Sequence, residues 1–143
     1  MSDRPDLLAR IGISATLALS GYLHADLYAN GYRYIHIIGP SFLLQAAASF
    51  ALAVLVLAGP WTLRVVAAAL ATGALIAFVL SRTTGLFGFS EIGWQPSPQA
   101  ALSVGAEILT VILCGASLLR YRGRTQRRAV AASDVSSKAR ADA

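Results

Sequence analysis

Residues 37–58, IIGPSFLLQAAASFALAVLVLA, run without a single charge. At about 1.5 Å per residue, such a helix is long enough to cross a hydrocarbon layer of roughly 30 Å. Pro40 falls in its first turn, where a missing amide hydrogen costs least, and Gly59-Pro60 stops it. A chain built around this segment must bury it or place it in lipid, and the rest of the sequence follows the second course.

A second apolar run, Val65 to Ser81, lies between Arg64 and Arg82, whose long stems can reach the two interfaces. A third, Gln99 to Leu119, begins after Pro96-Ser97-Pro98 and carries one charge, Glu107. The first segment is less apolar and needs Leu7 to Tyr28 to cross, with Arg10 near one end and His24 and Asp26 near the other. A leader peptide ending near Ala25 competes with that reading. Charged residues make up only 13% of the chain and hydrophobic ones 56%, where soluble domains average about 25% charged. The expected fold class is all-α: an antiparallel up-down four-helix transmembrane bundle with helices at about 7–28, 37–58, 62–82 and 99–119. Small residues suited to close helix approach are Ala47 and Ala51, then Ala69, Gly73 and Ala77, and finally Gly105.

The positive-inside rule then sets both termini on the cytosolic side of the cell membrane. On that side fall Arg4, Arg10, Arg64 and the seven Lys and Arg beyond Leu119, against Arg33 and Arg82 on the other. Arg120, Arg122, Arg124, Arg127 and Arg128 form a basic stretch suited to anionic lipid surfaces. Residues 122–143 contain few large apolar side chains and are expected to be disordered. Basic charge gathered in a membrane flank is not a nucleic-acid-binding surface. Cys114 is the only cysteine, which excludes an internal disulfide and dithiol chemistry.

Three groups could carry chemistry. GYLHADLYANGYRYIHIIGP, residues 21–40, holds both histidines, with Asp26, Tyr28 and Arg33 beside His24 and His36. Two neutral imidazoles can ligate a metal or haem iron, while tyrosines and histidines between two spans also make an ordinary interfacial belt. SRTTGLFGFSEIGWQPSP, residues 81–98, is a long connection whose GLFGF core is too apolar for water. Arg82 and Glu91 there can pair with each other, or with Asp26 and Arg33, and close the outer mouth; alternatively, Arg82 only anchors its helix. Glu107, some 12 Å into its span, must face the interior, be protonated or meet a partner. Ser103, Glu107, Thr110 and Cys114 share one stripe, expected to face Gln45 or Ser49.

GYLHADLYANGYRYIHIIGPSFLLQ and SRTTGLFGFSE resemble segments of small four-helix membrane proteins of high-GC actinobacteria. That resemblance implies a topology and no reaction. The reading of function that follows is a non-enzymatic accessory or stabilising subunit of a membrane complex, with a membrane-protein partner or a second copy beside it. The alternatives are a haem, metal or quinone site at the outer mouth, built from His24, Asp26, Tyr28, Arg33, His36, Arg82, Glu91 and Glu107, and a dimeric proton-coupled exporter working through Glu107.

Overall fold

The computed structural model describes residues 4–141, with the side chains of residues 128, 129, 131 and 134–141 left out. The chain is all-helical in its regular elements: α1 (Arg4–Asn30), a 3-10 turn (Tyr32–Tyr34), α2 (Ile38–Ala58), α3 (Thr62–Arg82) and α4 (Gln99–Ala141). α1 packs along α2 and α4, and α3 along α4, while α2 and α3 meet more sparingly. Asn30, Arg82 and Gln99 mark one end of the molecule, the loop end. Arg10, Gly59 and Leu119 mark the other, the tail end.

Among the described residues three helices, α2, α3 and α4 as far as Arg127, are long and apolar enough to cross a membrane. α1 is not one of them. Its Arg10, Thr16, Ser20, His24 and Asp26 dilute the apolar pattern, as the sequence reading of the first segment as the less apolar one expected. The polar groups of α1 have a common direction. Thr16, Ser20 and His24 are buried, whereas Leu7, Leu8, Ile11, Leu19 and Tyr22 are exposed.

Ile13 and Leu17 of α1 form the central apolar cluster with Leu52, Ala53 and Val56 of α2, Ala67 of α3 and Cys114 of α4. The small residues that allow this approach differ from those expected. Ala47, Ala51, Ala69, Gly73 and Gly105 are exposed, and Ala46, Ala53, Ala67, Ala71 and Ala106 are buried instead. Gly21 is also at a close approach, since a Cβ there would lie 3.3 Å from the Ala46 carbonyl oxygen. An Ala-rich chain offers several four-residue spacings, and burial of the larger neighbours decides which of them is used.

At the tail end, the arginines expected to reach outward turn inward. Asp6 binds Arg10 Nε at 2.8 Å and an Arg64 guanidinium nitrogen at 2.6 Å. Arg10 also donates to the carbonyls of Val56 at 2.9 Å and Gly59 at 2.8 Å. It thereby satisfies the C-terminal carbonyls of α2, where the helix dipole favours a cation. Arg64 is only 3% exposed and also donates to Ser117 of α4. One carboxylate thus ties the beginning of α1 to α3, with α2 and α4 held through the two arginines.

Beyond Tyr121 the sequence expectation of disorder also differs from the structure, where α4 continues to Ala141. Alanine and arginine are both strong helix formers, so a lack of large apolar side chains does not by itself prevent a helix. Arg120, Arg122, Arg124 and Arg127 are exposed on it, and the Arg128 side chain lies outside the described residues.

The Asp6 clasp gives a stability prediction. Asp6→Ala leaves Arg64 buried without its carboxylate and is expected to destabilise the fold by on the order of 3 kcal/mol, read as a lower thermal midpoint in lipid nanodiscs. Burial raises the Asp6 pKa, but the bonds from Arg10 and Arg64 outweigh it and hold the carboxyl below its usual 3.8. Its stabilising contribution is therefore complete above about pH 4 and is lost as the pH falls through the lower folded value. The wild-type acid transition should contain this step and the Asp6→Ala variant should lack it.

Candidate functional site

A cavity of about 200 Å³ lies at the loop end. All four helices contribute to it: His24 from α1, Phe42 and Gln45 from α2, Phe78 and Arg82 from α3, Ser103 and Glu107 from α4. Tyr32 from the 3-10 turn, and Phe89 and Glu91 from the long connection, complete the wall on the loop side.

Glu107 is 2% exposed. Its Oε1 accepts from Ser103 Oγ at 3.0 Å, one turn earlier on α4, and from Ser20 Oγ of α1 at 3.5 Å. His24 Nε2 stands 3.8 Å from the same oxygen. Its other ring nitrogen, Nδ1, is 2.9 Å from the Ser20 carbonyl. A carbonyl can only accept, which assigns the hydrogen on Nδ1. Nε2 then faces the Glu107 carboxyl from 3.8 Å, beyond hydrogen-bond distance, and a ligand in the cavity meets an imidazole nitrogen and a carboxyl together. The stripe of α4 expected to face Gln45 or Ser49 in fact faces α1: Thr110 Oγ1 is 2.8 Å from Thr16 Oγ1, and Cys114 packs in the cluster around Ile13 and Leu17. Gln45 shares the cavity with Glu107, whereas the buried Ser49 hydroxyl has no partner.

At the mouth, Arg82 and Glu91 pair at 2.7 Å, and Tyr32 donates its hydroxyl to the other oxygen of Glu91. Arg82 also donates to the carbonyls of Gly93 at 3.1 Å and Gln95 at 2.5 Å, and lies 3.9 Å over the Phe78 ring. The connection is thus fastened to the end of α3 through one guanidinium. Burial, and then the bond to Glu91, raise the Tyr32 pKa, and the phenol remains a neutral donor. Tyr32 is stacked on Phe42 at 4.7 Å and meets Phe89 edge-on at 5.7 Å. The turn that carries it sits directly on α2, because a Cβ at Gly39 would come within 2.7 Å of the Tyr32 and Arg33 carbonyl oxygens. Glycine at 39 is what allows that seat.

Of the residues singled out in sequence, His24, Arg82, Glu91 and Glu107 come together around the cavity. Asp26, Tyr28, Arg33 and His36 do not line it. Asp26 accepts from its helix neighbour Asn30 at 2.7 Å, and Arg33 lies over Tyr34 at 4.4 Å. His36 is exposed, whereas His24 is buried. Among the described residues no three His, Cys, Asp or Glu side chains are grouped to hold a metal ion. Among the linings that sequence did not single out are the rings of Phe42, Phe78 and Phe89, while Ser103 and Gln45 entered only through the Glu107 stripe. Gln45, the one amide in an uncharged span, was the available signal.

No protein family, curated protein or solved structure matches this chain.

The latch at the mouth gives a local prediction. Charge-assisted hydrogen bonds contribute about 1.5–3 kcal/mol, and Glu91 takes part in two of the contacts holding the connection. Glu91→Gln should raise amide hydrogen exchange across residues 83–95 by on the order of tenfold, starting at the Glu91 amide, which donates to the Ser81 carbonyl at 3.0 Å. Exchange in the central turns of α2 should not change.

Proposed function

We propose that the chain is a multi-pass protein of the cytoplasmic membrane, with both termini in the cytosol, that binds a ring-sized amphipathic ligand in its loop-end cavity. The observation that carries the reading is the cavity itself, apolar over most of its wall, with His24 and Glu107 deep within it and Tyr32, Glu91 and Arg82 at the mouth. α1 serves as the fourth crossing of an antiparallel bundle. Its polar groups are turned toward α4 and its apolar face toward lipid, as expected where hydrocarbon offers no hydrogen bonds.

Volume narrows the ligand. A cavity of about 150 Å³ accommodates one benzene ring, so about 200 Å³ suits a single substituted ring and is too small for a haem macrocycle. A quinone headgroup meets the chemistry: flat, apolar on both faces, and accepting hydrogen bonds at its carbonyls. In its protonated form the Glu107 carboxyl can donate one such bond. The phenyl rings of Phe42, Phe78 and Phe89 supply the apolar surface. An isoprenoid tail leaves most easily between α2 and α3, the sparsely packed side.

The accessory-subunit reading stands second. It is favoured by the apolar side chains exposed at the loop end, Phe87, Ile92 and Trp94, which a membrane partner would cover.

Gly73 allows a direct test. No atom lies within 4 Å of a Cβ built there, and the position lines the cavity. Gly73→Leu should therefore fill the cavity without disturbing the helices. Organic extracts of wild-type protein isolated in native lipid should contain a ring-bearing lipid at near one per chain by mass spectrometry, and the variant at least tenfold less, with an unchanged thermal midpoint. Wild-type extracts without such a molecule would remove the ligand reading.

A further inference from the structure

A second recess, of about 350 Å³, lies at the tail end between the first turns of α1 and the stretch of α4 from Leu113 to Arg120, away from the cavity. Arg4, Pro5, Leu8 and Ala9 form one wall, and Leu113, Ala116, Ser117 and Arg120 form the other. It closes on the deeper side where the two helices touch, since a Cβ at Gly12 would lie 3.2 Å from Leu113 Cδ1. The groove is therefore bounded below by apolar contact and flanked by two guanidinium-bearing side chains.

The charge around it is unbalanced. Arg4, Arg10, Arg64 and Arg120 lie at this end, and Asp6 is the one carboxylate among the described residues beside them. Arg64 is behind the groove wall: it donates to Ser117, itself a lining residue, and among the described residues its buried Nε has no partner. Asp6 already bridges Arg10 and Arg64, which leaves the field of Arg4 and Arg120 without a described carboxylate. Apolar surface continues from the groove along the outside of the helices, where Leu8 is 68% and Leu119 is 70% exposed.

We infer that this groove binds one anionic phospholipid, its phosphate held between Arg4 and Arg120 and an acyl chain lying along Leu8 and Leu113. Arginine suits this role because its planar fork matches phosphate oxygens in pairs, and basic recesses between membrane helices on the cytosolic side are a recurrent means of holding anionic headgroups. A soluble anion would have no use for the apolar continuation, and a neutral lipid would leave the excess positive charge unmatched. The groove thereby differs from the exposed basic stretch of α4, which offers charge with no recess. A bound lipid would join the start of α1 to α4 outside the Asp6 clasp and brace the helix that is least apolar.

The test uses full-length protein in nanodiscs of phosphatidylcholine with a minor fraction of phosphatidylglycerol, followed by gentle delipidation and native mass spectrometry. Wild-type chains should retain one phosphatidylglycerol each. The double variant Arg4→Gln, Arg120→Gln should retain at least tenfold less. Ala116→Phe, which fills the groove and changes no charge, should lose the lipid as well, while the triple variant Arg122→Gln, Arg124→Gln, Arg127→Gln should keep it. Thermal midpoints in pure phosphatidylcholine discs check that each variant is folded. Retention by the double variant, retention by Ala116→Phe, or loss in the triple variant equal to that in the double variant would each overturn the inference.

Discussion

A carboxyl group at 2% exposure among apolar helices needs a partner, and the arrangement of α1 against α4 follows from that need. Ser20 and Ser103 approach the same Glu107 oxygen, and His24 stands beyond them. One turn along the seam Thr16 meets Thr110, and at the tail end Ser117 receives Arg64. Polar contacts between membrane helices contribute only about 0.6 kcal/mol each on average, so this row does not hold the helices together by strength. It sets register. Sliding or rotating α1 by one residue would strand several buried groups at once, each at a cost larger than the contact itself.

The same constraint explains what could be read in the sequence and what could not. The spans of α2 and α3 were plain because uncharged runs of that length leave few alternatives. Glu107 and the Arg82–Glu91 pair were legible because ionisable groups beside lipid demand explanation. Three features were hidden. Which alanines face inward could not be told from a composition in which alanines are everywhere; the structure buries Ala46 and exposes Ala47. Asp26, Tyr28, Arg33 and His36 share a segment with His24, but proximity along the chain does not give direction, and the seat of the 3-10 turn on Gly39 points only Tyr32 into the cavity. Arg64, read as an arginine that reaches the surface, is instead kept inside by Asp6, at a sequence distance that no local pattern reveals.

The two ends treat charge in opposite ways. At the tail end Asp6 sits between Arg10 and Arg64, and among the described residues the surplus is positive. At the loop end the guanidinium of Arg82 is balanced by Glu91 and by backbone carbonyls, and the uncompensated polar groups are those of His24 and Glu107 deeper in the cavity. The first arrangement favours an anion beside the helices. The second favours a neutral molecule that exchanges hydrogen bonds within them.

Why all four helices surround a cavity at the loop end, while the tail end has a groove between α1 and α4 alone, follows from side-chain size. Near the tail end, α2 presents Leu52 and Val56 to Ile13 and Leu17, with Ala67 and Cys114 filling the remaining space. Toward the loop end, α3 presents Gly73, Ala74 and Ala77 opposite Phe42 and Gln45, and small residues cannot span the gap to them. Collapse of α3 onto α2 is opposed from two directions. Arg82 and Glu91 fasten the connection across the mouth, and the stacked rings of Tyr32 and Phe42 prop the near wall. Dispersion contacts grow with the atoms packed against such walls, and the ligand proposed for this cavity would add them while tightening the α2–α3 seam. Occupancy should therefore stabilise the side of the molecule that has least packing of its own.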